Sequence, residues 1–118
     1  MPEQLRIDEE RGVVVIDSSG KISLQQIRQT MTEVLAICTE RSFHKTLVDA
    51  RKQDELPSIT ELYEIASNIP RDIRVALLGI GGGPSEDGLR FLETVAKNTG
   101  LDVRVFFEED EALRWLAQ

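Results

Sequence analysis

Three short apolar runs, separated by stretches with helical spacing, constrain the fold of this chain more than any other feature. The runs lie within residues 13–16, 46–49 and 73–78. A strand whose consecutive residues are apolar is covered on both faces of its sheet, as in parallel sheets that carry helices. The runs therefore predict central strands of a mostly parallel sheet.

The two ends of the chain show the alternation of half-exposed strands. Apolar and polar residues alternate over residues 4–8 and again over residues 101–108. A turn at residues 10–12 lets the first strand pair with the second as a hairpin. We therefore predict that the edges of the sheet come from the chain ends. Gly20 is expected to end the second strand, and the polar residues 51–55 are expected to form a loop.

Helix start and stop signals separate the strands. Ser23 precedes an apolar stripe and is a predicted N-cap. Ser58 and Glu61 have the spacing of a capping box. Ser85 is a candidate cap for the third helix, with Gly100 at its C′ position. An acidic run precedes the fourth helix, where it complements the helix dipole.

These signals predict an α/β fold with the element order β-β-α-β-α-β-α-β-α. At 118 residues the chain has the size of one small domain, so we expect a single domain over residues 1–118. Its sheet is expected to be mixed, mostly parallel and five-stranded, and to carry four helices.

Composition excludes several classes of function. A net charge of −7 without a basic patch argues against nucleic-acid binding. One cysteine and one histidine leave no disulfide, thiolate zinc site or His-rich metal site. No apolar run approaches the roughly 18 residues of a membrane span, and the polar start predicts no signal peptide. We expect a cytoplasmic protein without a cofactor, a metal or a catalytic group.

Candidate binding residues follow the predicted strands, because ligands of open parallel sheets gather beyond the carboxyl ends of strands. This rule selects residues 17–20, 49–51, 79–83 and 108–109 as loops to consider. In the glycine run, the bare amides of Gly81, Gly82 and Gly83, with Ser85, are candidates for cradling a phosphate. A flexible connector explains the same residues, and Pro84 breaks the dinucleotide fingerprint.

Two strand-ending aspartates form the other candidate group. Asp17 and Asp49 are expected to lie near each other, where carboxylates hold magnesium in some domains, and Arg51 follows as a further ligand or partner contact. Aspartates at strand ends also hydrogen-bond turn amides, which explains them without a ligand. Cys38 is expected to be a buried thiol, and His44 a surface residue.

Four short motifs in this order resemble a STAS-like domain, of the subgroup described as anti-sigma-factor-antagonist-like or STAS/SEC14-like. The resemblance spans nearly the whole chain. The motifs are Gly-Lys-Ile-Ser at 20–23, Leu-Val-Asp at 47–49, Val-Phe at 105–106 and Glu-Ala-Leu-Arg-Trp-Leu at 111–116.

The resemblance implies a non-enzymatic module that binds partner proteins, including a switch kinase that phosphorylates a serine at the start of the second helix. In that family the serine comes nine residues after the position matching Asp49, and Ser58 stands there. The family's Asp-Ser-Ser-Gly-Leu is replaced here by Pro-Ser-Ile-Thr-Glu at 57–61. Ser58 is therefore a candidate phosphoacceptor, but a plain N-cap is the favoured explanation of this serine.

Our first expectation is a regulatory or protein-interaction module that binds its partner through the second-helix region, residues 56–69, and is tuned at Ser58. The alternative is a module for a small apolar ligand or lipid, because the STAS/SEC14-like subgroup is proposed to hold such molecules. It would use the loops at the strand ends. The candidate lining residues are Phe43, Leu56, Tyr63 and Phe106.

Overall fold

The predicted order of elements is confirmed throughout the computed structural model, which describes residues 3–55 and 57–118 but not the side chains of Glu55 and Ile59. Five strands and four helices alternate as the sequence patterns indicated. They are β1 (Glu3–Asp8), β2 (Val13–Lys21), α1 (Leu24–Arg41), β3 (Lys45–Glu55), α2 (Ile59–Ser67), β4 (Arg74–Leu78), α3 (Glu86–Asn98), β5 (Asp102–Phe106) and α4 (Glu109–Leu116).

The strands form one mixed sheet in the order β1-β2-β3-β4-β5. β1 is antiparallel to β2, with Leu5 opposite Ile16, and every other neighbouring pair is parallel. The first and last strands lie at the edges, as predicted. Because successive right-handed crossovers advance in one direction, α1, α2 and α3 cover one face of the sheet, and α4 covers the other.

The pleat of β2 explains why its apolar run is continuous. Val14 and Ile16 pack in the larger cluster under α1, α2 and α3. Val13 and Val15 point to the opposite face and pack in the cluster with Trp115 of α4. Consecutive strand residues point to opposite faces, so each residue of this run is buried in one of two cores.

β2 and β3 are longer than the sequence pattern predicted. Residues 17–20 lie within β2, and residues 49–55 lie within β3, so the predicted loops at 17–20, 49–51 and 51–55 are wrong. The extensions pair with each other, since Ser19, Gly20 and Lys21 are register partners of residues 52, 53 and 55. Pairing between the strands satisfies the backbone N–H and C=O groups of these polar segments, so they do not need a buried apolar side chain on every second residue. For this reason no apolar periodicity in the sequence revealed them.

A bulge in β3 changes which face its later residues occupy. Ala50 and Arg51 together stand opposite the single residue Ser18, between the register pairs Asp17–Asp49 and Ser19–Lys52. One extra residue reverses the alternation of side chains along a strand. As a result Gln53 is buried on the same face as Ala50 instead of the opposite one.

The helix ends follow the predicted signals with one exception. Ser23 and Ser58 both form capping boxes. Gly100 follows α3 with a φ of +79°, which suits a residue without a side chain. Ser85 occupies the N-cap position of α3 but makes no capping hydrogen bond, so its predicted capping role is wrong. Its side chain is buried, and its backbone is not in the extended conformation of a side-chain cap.

Candidate functional site

Ser58 lies exposed at the start of α2, inside a reciprocal capping box. Its Oγ accepts a hydrogen bond from the backbone N–H of Glu61 at 3.3 Å. Glu61 Oε1 accepts from the backbone N–H of Ser58 and from its hydroxyl, both at 3.1 Å. The predicted capping box is confirmed, and a carboxylate lies within hydrogen-bond reach of the hydroxyl that the phosphoacceptor hypothesis concerns.

The outward face of α2 carries an exposed aromatic side chain. Leu62, Ile65 and Ala66 are buried, whereas Tyr63 is 55% exposed. The apolar residues at 59, 62, 63 and 66 have the spacing of one helix face, which predicts a buried Tyr63, and that prediction is wrong. The buried stripe is set by residues at i, i+3 and i+4, and Tyr63 lies about 100° around the helix from Leu62.

An ion pair ties the outer surface of α2 to α1. Arg28 Nε donates to Glu64 Oε2 at 3.0 Å, and a second nitrogen of the guanidinium contacts the same oxygen. Together with the buried stripe, this contact fixes the orientation in which α2 presents Tyr63.

The two aspartates lie side by side, as predicted, but each one is paired with an arginine. Asp17 and Asp49 are register partners in β2 and β3. Arg6 Nε donates to Asp17 Oδ2 at 2.7 Å. Arg51 donates to both oxygens of Asp49, at 3.0 and 2.8 Å, and its Nη2 also donates to Glu109 at 3.1 Å.

These pairs determine the electrostatics of the cluster. The hydrogen bonds from Arg51 hold the pKa of Asp49 below its ordinary value, although partial burial opposes this. The same contacts with Asp49 raise the pKa of Arg51. Within residues 3–55 and 57–118, no three His, Cys, Asp or Glu side chains are grouped so that they could hold a metal ion. The cluster joins β3 to the start of α4.

In the glycine loop between β4 and α3, two backbone N–H groups donate hydrogen bonds to other residues of the chain. The N–H of Gly82, at a φ of +78°, donates to Glu86 Oε1, and the N–H of Gly83 donates to Ile80 O at 2.9 Å. Arg90 and the Gly82 amide lower the pKa of Glu86. The carboxylate of Glu86 in α3 thus accepts from the Gly82 N–H, which is one of the donors that the phosphate hypothesis assigns to a bound phosphate. Phosphate binding at Gly81, Gly82, Gly83 and Ser85 stays a prediction.

Two other singled-out residues, Cys38 and His44, lie where the sequence placed them. Cys38 is buried, and burial raises the pKa of its thiol while the neighbouring Thr46 hydroxyl opposes that shift. The His44 side chain is exposed, with Nδ1 3.9 Å from Asp72. Trp115 is buried and packs on Phe106 with ring centroids 5.5 Å apart.

A cavity of about 130 Å³ lies between the sheet and the three helices α1, α2 and α3 that cover one of its faces. This cavity was not predicted from the sequence. It is partly open to the surface, and its wall is almost entirely apolar. Phe43, Tyr63 and Phe106 do not line this cavity, and Leu56 falls outside the described residues. It lies under helices α1, α2 and α3, all of which contribute residues to its wall, and not at the strand-end loops.

Two buried polar atoms with no hydrogen-bond partner belong to residues of the cavity wall. They are Thr46 Oγ1 and Gln53 Oε1, in side chains that are 3% and 7% exposed. No periodicity in the sequence indicated that Gln53 is buried, because its face is decided by the bulge that precedes it in β3. At the border of the cavity, Glu3 accepts hydrogen bonds from Ser18 and Thr30, at 2.8 and 2.6 Å.

Comparison with known proteins identifies the fold. No protein-family model matches the chain, and no curated protein matches it. An anti-sigma factor antagonist from Mycobacterium paratuberculosis superimposes with a TM-score of 0.65 at 15% identity, covering 98% of this chain and 93% of its own. The fold is STAS-like. An uncharacterised DUF3478-family protein with a SpoIIAA-like fold, from Shewanella loihica, has a TM-score of 0.63 at 20% identity, with coverage of 97% and 91%.

A third solved structure with this fold is the protein TM1081, at a TM-score of 0.61 and 16% identity, with coverage of 97% and 87%. The STAS-like, SpoIIAA-like fold expected from the four short motifs is therefore confirmed over nearly the whole chain. Among the helices of the described residues, none has the length and apolar character needed to cross a membrane.

Proposed function

We propose that this chain is a regulatory protein-interaction module that binds a partner protein through α2. The observation that carries the proposal is the exposed Tyr63 on a helix whose opposite face is buried and whose first residue is capped by Ser58. The shared fold supports it, since one solved structure with this fold is an anti-sigma factor antagonist.

Tyr63 has the properties of an interface anchor. Tyrosine is enriched among residues that dominate binding energy, because it offers a large contact area with little conformational freedom to lose. The burial of Leu62, Ile65 and Ala66 and the Arg28–Glu64 pair hold α2 in place before binding. A partner that covers Tyr63 therefore does not have to order the helix that carries it.

Ser58 tunes this surface by phosphorylation. A phosphate at a helix start interacts favourably with the free amides and the helix dipole. Here it would also remove the hydroxyl that donates to Glu61 and place two negative groups about 3 Å apart. The Glu61 side chain must then leave the capping box, which changes the charge and shape of the first turn of α2.

The module acts by binding and not by catalysis. Asp17 and Asp49 are each neutralised by an arginine, and the chain's single histidine lies exposed. An acid, a base and a nucleophile therefore do not converge on one cleft in the described residues. We place the protein in the cytoplasm, whose reducing conditions suit a chain with one buried cysteine.

Site-specific photo-crosslinking in cells tests the docking surface. A photoreactive phenylalanine analogue replaces Tyr63 in one variant and Ile7, an exposed apolar residue of β1, in a matched control. We expect one protein to be crosslinked through position 63 and not through position 7. Crosslinking of the same proteins through both positions, or of none, contradicts the proposal.

Mass spectrometry of protein recovered from cells tests Ser58. We expect phosphate on Ser58, and we expect Ser58→Glu to change the yield of the position-63 crosslink at least severalfold while Thr39→Glu, at an exposed position of α1, leaves it unchanged. Phosphate found only on other residues, or equal effects of the two variants, contradicts the switch while leaving the docking surface standing.

A further inference from the structure

A second pocket lies at the amino ends of three neighbouring strands, opposite the end of the sheet at which ligands usually gather. Its volume is about 240 Å³, and its wall contains Lys45, Arg74 and Asp102, which are the first residues of β3, β4 and β5. We call it the amino-end pocket. Most of its wall consists of charged side chains, whereas the cavity under the helices is apolar.

The register of the sheet places two cations side by side in the amino-end pocket. Lys45 is the register partner of Arg74, and Arg74 is in turn the register partner of Asp102. Neighbouring strands lie about 4.8 Å apart, so like charges at opposite positions repel each other. This row of three residues therefore contains two cations and one carboxylate.

The charge of Arg74 is compensated within the fold. Its Nε donates to Asp102 Oδ2 at 2.9 Å, and its Nη1 donates to the backbone oxygens of Trp115 and Gln118 at 2.8 and 3.2 Å. Its guanidinium carbon also lies 4.7 Å from the centroid of a Trp115 ring. Arg74 and Asp102 therefore form a fixed side of the pocket, and Lys45 beside them is left without a counter-charge.

Lys45 and Arg71 are the cations of the pocket that lack a partner. Within residues 3–55 and 57–118, neither side chain takes part in an ion pair or a hydrogen bond. Arg71 lies in the turn between α2 and β4, and its Nη1 would be 3.7 Å from a Cβ added to Gly100. The guanidinium is thus held beside the chain that leads into β5, at the edge of the pocket.

One carboxylate in the pocket opposes the binding of an anion. The side chain of Asp72 is 74% exposed, and its Oδ2 lies 3.9 Å from Nδ1 of His44. Water and salt screen the interactions of such an exposed charge. Asp72 therefore weakens the attraction of the two unpaired cations for an anion, and we expect binding in the millimolar range.

We propose that the amino-end pocket binds a small dianion, such as a phosphate or a dicarboxylate, between Lys45 and Arg71. The planar guanidinium offers two parallel N–H donors to the oxygens of such a group, and the ammonium supplies the second positive charge. Lys45 and Arg71 belong to different elements, so no basic run in the sequence indicated the site. The proposal gives the chain a small-molecule site that is separate from the Tyr63 surface.

Titrations with three anions test the proposal. Inorganic phosphate and succinate carry about two charges near pH 7.5, whereas acetate carries one. Each is added to the full chain at constant ionic strength while the backbone amide NMR signals of residues 44–46 and 71–74 are followed. We expect saturable shifts with a dianion, a dissociation constant on the order of 1 mM, and about fivefold weaker binding of acetate. The dianion that binds more tightly identifies the acid groups that the site prefers.

Four glutamine variants separate a specific site from general attraction. Lys45→Gln and Arg71→Gln each remove one cation of the pocket, whereas Lys52→Gln and Arg104→Gln make the same changes at exposed positions outside it. We expect K45Q and R71Q each to weaken dianion binding about fivefold, and K52Q and R104Q to change it by less than about twofold. The midpoint of thermal unfolding verifies that the variants stay folded, as we expect for side chains that make no ion pair or hydrogen bond.

Three results would overturn the proposal. Equal weakening by all four variants would mean that anions respond only to the overall charge of the protein. Acetate that binds as tightly as both dianions would remove the requirement for two charges. The absence of saturable shifts with all three anions would mean that the pocket is not an anion site. None of these results bears on the docking of a partner at Tyr63.

Discussion

Helices α1 and α3 cover the same face of the sheet but pack against it very differently. The 18 residues of α1 contribute two buried residues, Val34 and Cys38, whereas the 13 residues of α3 contribute four. The apolar stripe of α1 lies largely over the cavity, with Ile27 and Met31 half-buried at its wall. One face of the sheet thus combines a tightly packed region with a loosely packed one.

The close packing of α3 has a visible cause in the sequence. A Cβ added to Gly79 would lie 2.6 Å from Cδ1 of Leu89, a side chain that is only 2% exposed. The missing side chain at residue 79 therefore lets the first turn of α3 approach the end of β4. Ile27, Met31 and Val34 of α1, in contrast, line the cavity. The contrast teaches that tight and loose packing are divided between two helices on the same face of the sheet.

The largest effect is expected for Leu89→Ala on the tight side. Leu89 is essentially fully buried, so its truncation removes the apolar contacts of a whole side chain and enlarges the cavity, whose wall Leu89 also forms. We expect a loss of about 3–5 kcal/mol in the free energy of unfolding, measured by urea denaturation. A loss below about 1 kcal/mol would mean that α3 is not the tightly packed helix.

A smaller loss is expected for Met31→Ala on the loose side. Met31 is half-buried and already borders empty space, so truncation removes fewer contacts and enlarges a void that is partly open. We expect a loss of about 1 kcal/mol in the same urea measurement. Equal losses for Met31→Ala and Leu89→Ala would abolish the distinction between the two helices.

Thr46→Val is expected to stabilise the protein. Valine has nearly the shape of threonine and removes a buried hydroxyl that has no partner at hydrogen-bond geometry. The free energy of unfolding should rise by roughly 1 kcal/mol, because an unsatisfied buried group is lost without loss of volume. Thr94→Val, at an exposed position of α3 where the hydroxyl donates to a backbone carbonyl, is the control and should give no gain. A clear destabilisation by T46V would show that Thr46 has a partner in solution.

The smallest effect concerns the Asp49–Arg51 pair and its dependence on pH. The folded-state pKa of Asp49 lies below its ordinary value, so the pair contributes stability above the unfolded pKa near 4, and this is lost as pH falls through the folded pKa. We expect the wild type to exceed Asp49→Asn by less than about 1 kcal/mol at pH 7, with the difference shrinking below pH 4. A difference that stays constant between pH 7 and pH 3 would contradict the assignment. Urea denaturation across this range measures it.

The parts of the fold that sequence predicted are those set by local patterns. The continuous apolar run at Val13–Ile16 predicts a strand buried on both faces, and the Ser58–Glu61 spacing predicts a helix start. Each of these signals depends only on residues that are close together in the sequence. The β2 and β3 extensions were missed because strand pairing between polar segments leaves no apolar pattern.

The candidate site was less predictable than the fold. The orientation of Tyr63 depends on how α2 is rotated against the sheet, which a single turn of sequence does not determine. Burial of Gln53 depends on a bulge that Ala50 and Arg51 form against another strand. The cavity arises from how α1, α2 and α3 pack together on the sheet, and no spacing along the chain contains that information.

Native-state hydrogen exchange tests the division between the two helices most directly. Local opening requires less free energy where fewer apolar contacts hold an element in place. We predict that the backbone amides in the middle of α1 exchange through openings of lower free energy than those in the middle of α3. Equal protection of the two helices, or stronger protection of α1, would contradict the account.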